Sequence, residues 1–196
     1  MKLPTRRSVL IVADGPSAEI LRHKVLPQSL YVIGINAASI WLPRCDAFFT
    51  CYPDRRVRMM MANRRVGTRY YCAAPPNYGS MFADREMSGP REKNVTFFRR
   101  LDNQHGICSE PDTIHGGNSA WGALGLAHHM AAKRVAIVGL DANDEPRVSG
   151  GRPELPDLQE LFAGYDGKPQ VVNGSPRSNI EAFPRMGVGE AISWLL

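Results

Sequence analysis

The stretch Thr113–Asp141, T-I-H-G-G-N-S-A-W-G-A-L-G-L-A-H-H-M-A-A-K-R-V-A-I-V-G-L-D, decides the fold class. A glycine pair, Gly116-Gly117, opens onto a run of small apolar residues that passes into a short β-branched strand and stops at Asp141. The two glycines free the backbone for a tight turn. Asn118 and Ser119 are residue types that cap helix starts, so the reading is a helix over Asn118–Ala131. The first N–H groups of such a helix have no partner within it and favour a phosphate or carboxylate in front of them. The strand Val135–Gly139 follows. Asp141 then stands beyond its carboxyl end, the edge where open α/β sheets bind ligands.

A similar unit opens the chain. Ser8–Ala13 is a short apolar run that ends in Asp14-Gly15-Pro16-Ser17, with Ala18-Glu19-Ile20-Leu21 after it. The pattern reads as strand, turn and helix, with Pro16 fixing φ and Ser17 available as a cap. It is neither G-x-G-x-x-G nor a Walker A loop. Alone it is a turn with a cap; paired with the Gly117-Asn118-Ser119 turn, it suggests a shared anion site.

Between and after these units strands alternate with helices. Strands are expected at Leu30–Ile35, Ala47–Cys51, Thr68–Cys72, Val95–Phe98 and Gln170–Asn173. Helices are expected at Arg55–Asn63, near Leu158–Ala163 and at Val188–Leu195. The alternation predicts an α/β, Rossmann-like three-layer fold with a mostly parallel sheet and helices on both faces. Residues Asn77–Lys93, polar and rich in turn formers, read as a mobile loop of about 77–93. Asp14, Asn36, Asp54, Asp141 and Asn173 each follow an apolar run, so a parallel sheet would gather them along one edge.

The 196 residues fit one domain, 1–196. Hydrophobic content of 43% and charged content of 22% suit a soluble globular protein. Cys45, Cys51, Cys72 and Cys108 form no C-x-x-C pair and fit no zinc spacing, which points to reduced core thiols and a cytoplasmic location. No stretch is long enough to span a bilayer. The formal charge is +5, with arginines at Arg55-Arg56, Arg58, Arg64-Arg65, Arg69 and Arg99-Arg100. Such a face is either simply solvated or attracts an anionic partner, a nucleotide or nucleic acid. No helix-turn-helix, zinc-finger or RNA-binding motif accompanies it.

Taken in order, the motifs carry a resemblance. G-P-S-A-E (15–19), G-I-N-A-A (34–38), D-A-F-F-T-C-Y-P-D (46–54), G-G-N-S-A-W-G-A-L-G-L-A (116–127), R-V-A-I-V-G-L-D (134–141) and N-G-S-P-R-S-N-I-E-A-F-P (173–184) follow one another. This resembles the superfamily of motility-accessory-factor glycosyltransferases and archaeal 6-hydroxymethylpterin diphosphokinase, once called domain of unknown function 115. Small bacterial CMP-sialic-acid sialyltransferases share its early loop, and the length is similar to compact phage-type members. The resemblance implies a nucleotide site. Gly15, Pro16 and Ser17 would form its first loop and Asn36 would bond a base or ribose. Gly117, Asn118 and Ser119 would meet phosphate or ribose. Asn173, Ser175 and Ser178 would form the late N-x-S-P-x-S segment.

Two departures accompany it. Asp14 stands where many relatives have a small polar residue, and Ala142–Leu196 lacks the histidine base of the sialyltransferases. His115, before the glycine turn, and Asp141 are therefore the candidate catalytic residues; His128-His129 lie on the helix as structural residues. Three functions follow. The first is a nucleotide-sugar-dependent glycosyltransferase with a CMP-type donor and a hydroxyl acceptor, a glycan or nucleic acid. The second is an ATP- and Mg²⁺-dependent diphosphokinase, with Asp14 and Asp141 holding the metal. The third is a non-catalytic nucleotide- or nucleic-acid-binding protein. The sequence leaves a homo-oligomer open.

Overall fold

The computed structural model describes residues 3–53, 64–76, 95–102, 104–151, 158–165 and 167–196. The expected helix at Arg55–Asn63, the expected loop at Asn77–Lys93 and Asp54 lie outside the described residues. Among the described residues eight strands make one sheet: β1 Ser8–Val12, β2 Tyr31–Ile35, β3 Ala47–Thr50, β4 Arg69–Ala74, β5 Val95–Leu101, β6 Thr113–His115, β7 Arg134–Val138 and β8 Gln170–Asn173. Their order is β6-β5-β4-β3-β2-β1-β7-β8, and every neighbouring pair is parallel. The α/β Rossmann-like expectation therefore holds, and the sheet is wholly rather than mostly parallel among the described residues.

Strand composition explains the arrangement. Val9, Leu10, Ile11 and Val12 of β1 are all fully buried, as a parallel strand covered on both faces requires. Alternate residues serve opposite faces. Val9 and Ile11 join Ile33, Phe49 and Ile137 beneath one helical layer; Leu10 and Val12 join Val32, Ala136 and Val138 beneath the other. A 3-10 helix (Pro16–His23), α1 (Ala38–Trp41) and α4 (Val188–Leu195) pack on the second face. The first face carries α2 (Ser119–His129) and α3 (Leu158–Ala163).

Every residue of α2 from Ser119 to Ala127 is buried, so this helix is core on all sides. Its glycine at 122 is a packing device. A Cβ there would come within 2.7 Å of the Phe49 ring and 2.8 Å of the Cys51 sulfur. On the outer side Trp121 packs edge-on against Phe162 with ring centres 5.3 Å apart.

Two elements were not expected. β6 has only three residues and follows Pro111-Asp112, so its sequence carries no strand-length signal. α1 is a single turn behind Gly34-Ile35-Asn36. The helix after β1 is also a 3-10 helix rather than an α-helix, and Ser17 does not cap it. Gly15 holds the cap position without a side-chain bond.

Candidate functional site

The chain runs outward from β1 to β6, then returns through α2 to place β7 on the other side of β1. The carboxyl ends of β1 and β7 thus flank the point where the winding reverses. Open α/β sheets bind ligands in the crevice at such a point. A cleft of about 540 Å³ lies there, walled by the ends of β1, β2 and β7, the start of α2 and the segment after β7. Of the expected site residues, Asp14, Gly15, Pro16, Asn36, Asn118, Ser119 and Asp141 line it.

Gly15 sits where the β1 and β7 ends nearly touch. Its N–H donates to the Gly139 carbonyl at 3.0 Å. A Cβ at Gly15 would fall 2.2 Å from Asp141 Oδ2 and 2.5 Å from the Gly139 oxygen. Gly139 adopts φ +82 and its own Cβ would strike the Ala13 carbonyl at 2.5 Å, so both glycines are demanded by close backbone approach. Through this crossing Ser17 reaches Asp141. Its backbone N–H and its hydroxyl donate to Oδ2 at 3.2 and 2.8 Å. Asp141 is only 4% exposed. Burial raises its carboxyl above the ordinary value, and the two Ser17 bonds oppose that rise.

The late polar segment plays a different part from the one expected. Asn173, Ser175 and Ser178 are buried and stand behind the cleft wall rather than on it. Ser175 Oγ accepts the N–H groups of Gly139 and Leu140 at 3.0 and 3.1 Å, and it lies 2.8 Å from Ser17 Oγ. Since the single Ser17 proton goes to Asp141, Ser175 donates that bond. Ser178 Oγ donates to the Leu140 carbonyl. The Asn179 N–H donates to the Asp141 carbonyl at 2.9 Å. These residues stitch the turn Gly139–Asp141 in place.

A second network joins β2, β3 and α2. Asn36 adopts φ +50, a left-handed conformation that asparagine tolerates better than most residues. Its Oδ1 accepts the Thr50 hydroxyl at 2.9 Å and the Ser119 hydroxyl at 3.4 Å. Ser119 Oγ in turn accepts the Cys51 N–H at 3.2 Å. Asn118 is the N-cap of α2 and accepts the Ala120 N–H at 2.7 Å. Gly117, at φ +97, turns the chain into α2 next to Leu161 and does not line the cleft. Cys51 is no nucleophile: burial pushes its thiol up to about 12.

His115 stands apart from the cleft. It lies on β6, the edge strand five places from β1, and its Nδ1 bonds the Gly106 carbonyl at 2.9 Å. His129 stacks on Phe98 with ring centres 5.9 Å apart and bonds the Thr113 carbonyl, a structural role. Asp14 lines the cleft, but its carboxylate oxygens are engaged. Trp41 Nε1 donates to Oδ1 at 2.8 Å, and Ser149 donates through its N–H at 3.3 Å and through its hydroxyl. The polar cleft residues that sequence reasoning missed are Tyr52, Asn143, Glu145, Arg147 and Ser149. For Glu145, Arg147 and Ser149 the advance signal was the Gly150-Gly151 pair, which marks a turn; Tyr52 stood in the motif that ends the third strand.

The described residues contain no helix long and apolar enough to cross a membrane. All four cysteines are buried. No protein-family model matches the chain, and no curated protein matches it. Among solved structures it is similar to the sialyltransferase CstII from Campylobacter jejuni in complex with a substrate analogue, cytidine-5'-monophosphate. The two are 13% identical, the match covers 94% of this chain and 86% of that one, and the TM-score is 0.50. The likeness is one of fold: both chains share the α/β, Rossmann-like architecture.

Proposed function

We propose that the chain is a single nucleotide-binding unit that takes a nucleotide-linked sugar, of CMP type, and transfers the sugar to a hydroxyl acceptor. The observation that carries this reading is the cleft at the β1/β7 reversal, with Asn36, Asn118, Ser119 and Asp141 on its wall. Its volume lies within the range of small-molecule sites. The fold likeness to a protein solved with CMP supports the nucleotide class. So does the motif order of the diphosphokinase and motility-accessory-factor superfamily, of which the chain would be a compact member.

Asn36 already uses its Oδ1 on Thr50 and Ser119, so its amide N–H₂ is the part it can offer a ribose or base. Asp141 is the candidate base. Its Oδ2 is held by Ser17, and its carboxylate can take the proton of an acceptor hydroxyl. That hydroxyl oxygen then bonds the anomeric carbon. The bond from that carbon to the donor phosphate breaks, and the nucleotide leaves with the electron pair. In the diphosphokinase alternative Asp14 and Asp141 would hold Mg²⁺, but the Asp14 oxygens accept from Trp41 and Ser149, and Asp141 Oδ2 accepts from Ser17. The sugar-transfer reading asks for no such ligand.

A thermal-shift screen of CMP, UDP, GDP and ATP, with and without Mg²⁺, tests the reading. A nucleotide at 100 times its Kd adds about 2.7 kcal/mol to stability and raises the melting temperature. CMP is expected to do so without Mg²⁺. Stabilisation by ATP that depends on Mg²⁺ would favour the diphosphokinase, binding of CMP without turnover of any CMP-sugar would favour a non-catalytic binder, and no response to any nucleotide overturns the proposal.

A further inference from the structure

We propose that Arg147 forms a phosphate subsite in the cleft and that Asp14 sets its position; this rests on the nucleotide reading above. Among the described residues that line the cleft, three are acidic, Asp14, Asp141 and Glu145, and one is basic, Arg147. A phosphate can enter such a site only if the carboxylates are satisfied by other partners and a cation faces it. Each carboxylate has its partners. Glu145 is ion-paired with Arg177 at 3.1 Å. Asp141 accepts two bonds from Ser17. Asp14 accepts from Trp41 and Ser149.

The bonds of Asp14 also build the turn that carries Arg147. The Asp14 carbonyl accepts the Val148 N–H at 2.9 Å while its carboxylate holds Ser149. Within the turn, Gly150 N–H donates to the Arg147 carbonyl at 2.9 Å and Arg147 N–H to the Gly151 carbonyl at 3.1 Å. Gly150 and Gly151 supply the positive φ values, +88 and +82, that close it. On the outside Arg22 donates to the Val148 carbonyl at 3.3 Å. The turn is therefore fastened to the end of β1 by both the backbone and the side chain of Asp14. A carboxylate at position 14 is unfavourable beside a phosphate when it stands alone; here it anchors the turn that places Arg147 on the wall of the same cleft. Arginine suits that place because its planar fork bonds two phosphate oxygens and stays charged.

Calorimetric titration with CMP and with inorganic pyrophosphate tests this in the full chain. Arg147→Gln is expected to weaken CMP about 10- to 100-fold, the loss of one charge-assisted contact. Arg147→Lys should recover part of that loss, because it keeps the charge without the fork. Ser149→Ala releases the latch and should weaken CMP by a smaller factor in the native background, yet change nothing further in Arg147→Gln. An additive loss in the double variant would overturn the positioning role of the latch. CMP binding that is equal in native protein and Arg147→Gln overturns the subsite and leaves the nucleotide reading intact. Pyrophosphate binding that needs Arg147, with no CMP binding, supports the subsite and overturns the nucleotide. Binding of neither probe to the native protein overturns both.

Discussion

Ser175→Ala isolates what the buried serine behind the cleft contributes. The side chain is fully buried and its oxygen accepts two backbone N–H groups, from Gly139 at 3.0 Å and Leu140 at 3.1 Å. Gly139 N–H has a second acceptor, Ser17 Oγ at 3.1 Å, and keeps it in the variant. Leu140 N–H has Ser175 Oγ, so it becomes a buried donor without a partner. Leaving such a group unsatisfied costs about 1–3 kcal/mol. Ser17 also loses the hydroxyl that Ser175 donated. A total near 2 kcal/mol follows, which in a chain of this size lowers the melting temperature by about 4–8 °C. Urea denaturation monitored by tryptophan fluorescence measures the difference, with Ser193→Ala as control. Ser193 is exposed and bonds the Gly189 carbonyl within α4, so its removal should cost less than about 0.5 kcal/mol. The destabilised turn is Gly139–Asp141, so CMP affinity should fall as well. If Ser175→Ala is as stable as the Ser193 control, the turn is not held by this serine and the supporting role assigned to residues 173–178 is wrong.

Three further outcomes are expected. Gly15→Ala places a methyl against Asp141 Oδ2 and the Gly139 carbonyl, so it should destabilise by about 1–3 kcal/mol and weaken nucleotide binding, both readable by calorimetry. Asp141→Asn tests the raised carboxyl: the folded chain keeps this proton to higher pH than the unfolded chain does, so native stability falls as pH rises through the window above the ordinary carboxylate value of about 4. The asparagine cannot ionise and still offers Ser17 an oxygen, so the variant should gain on native protein as pH rises toward neutrality while losing sugar transfer; stability curves that stay parallel from about pH 4 to 7 contradict this. His115→Ala should leave CMP affinity and transfer unchanged, since the ring bonds Gly106 on the sheet edge; a large loss of turnover with intact fold would return it to the site.

The sheet was legible because its centre is covered on both faces. Strands such as Val9–Val12 and Val135–Val138 must then be apolar at every position, and an uninterrupted apolar run rich in β-branched residues between turn formers is hard to mistake. Legibility fades toward the edge for the same reason. Only Val95 and Phe98 of β5 are buried, and β6 needs only three residues to pair Arg99, Arg100 and Leu101. Helix type was less legible than helix place. Pro16–His23 has the composition of an α-helix start, yet Ser17 is drawn to Asp141 and Gly139 across the strand crossing, and the segment winds as a 3-10 helix. Such long-range demands leave no local trace in the sequence.

Polar residues at strand ends mark the site region but do not state which of them face the ligand. Asn36, Asn118, Ser119 and Asp141 line the cleft; Asn173, Ser175 and Ser178 have the same residue types and lie behind it. The difference comes from β8 standing beyond β7, on the side away from β1. A segment leaving β8 meets the back of the β7 turn, where the unpaired N–H and carbonyl groups of Gly139 and Leu140 need partners more than a ligand does. Serine and asparagine meet that need, and they also suit a nucleotide, so the sequence cannot separate the two uses. Asp14 presents the same ambiguity in sharper form. Read locally it is a metal ligand or an obstacle to phosphate; placed beside residues 147–151, more than a hundred positions away, it becomes an anchor. Its role depends on a contact between two loops, which only the reversal of winding at β1 and β7 brings together.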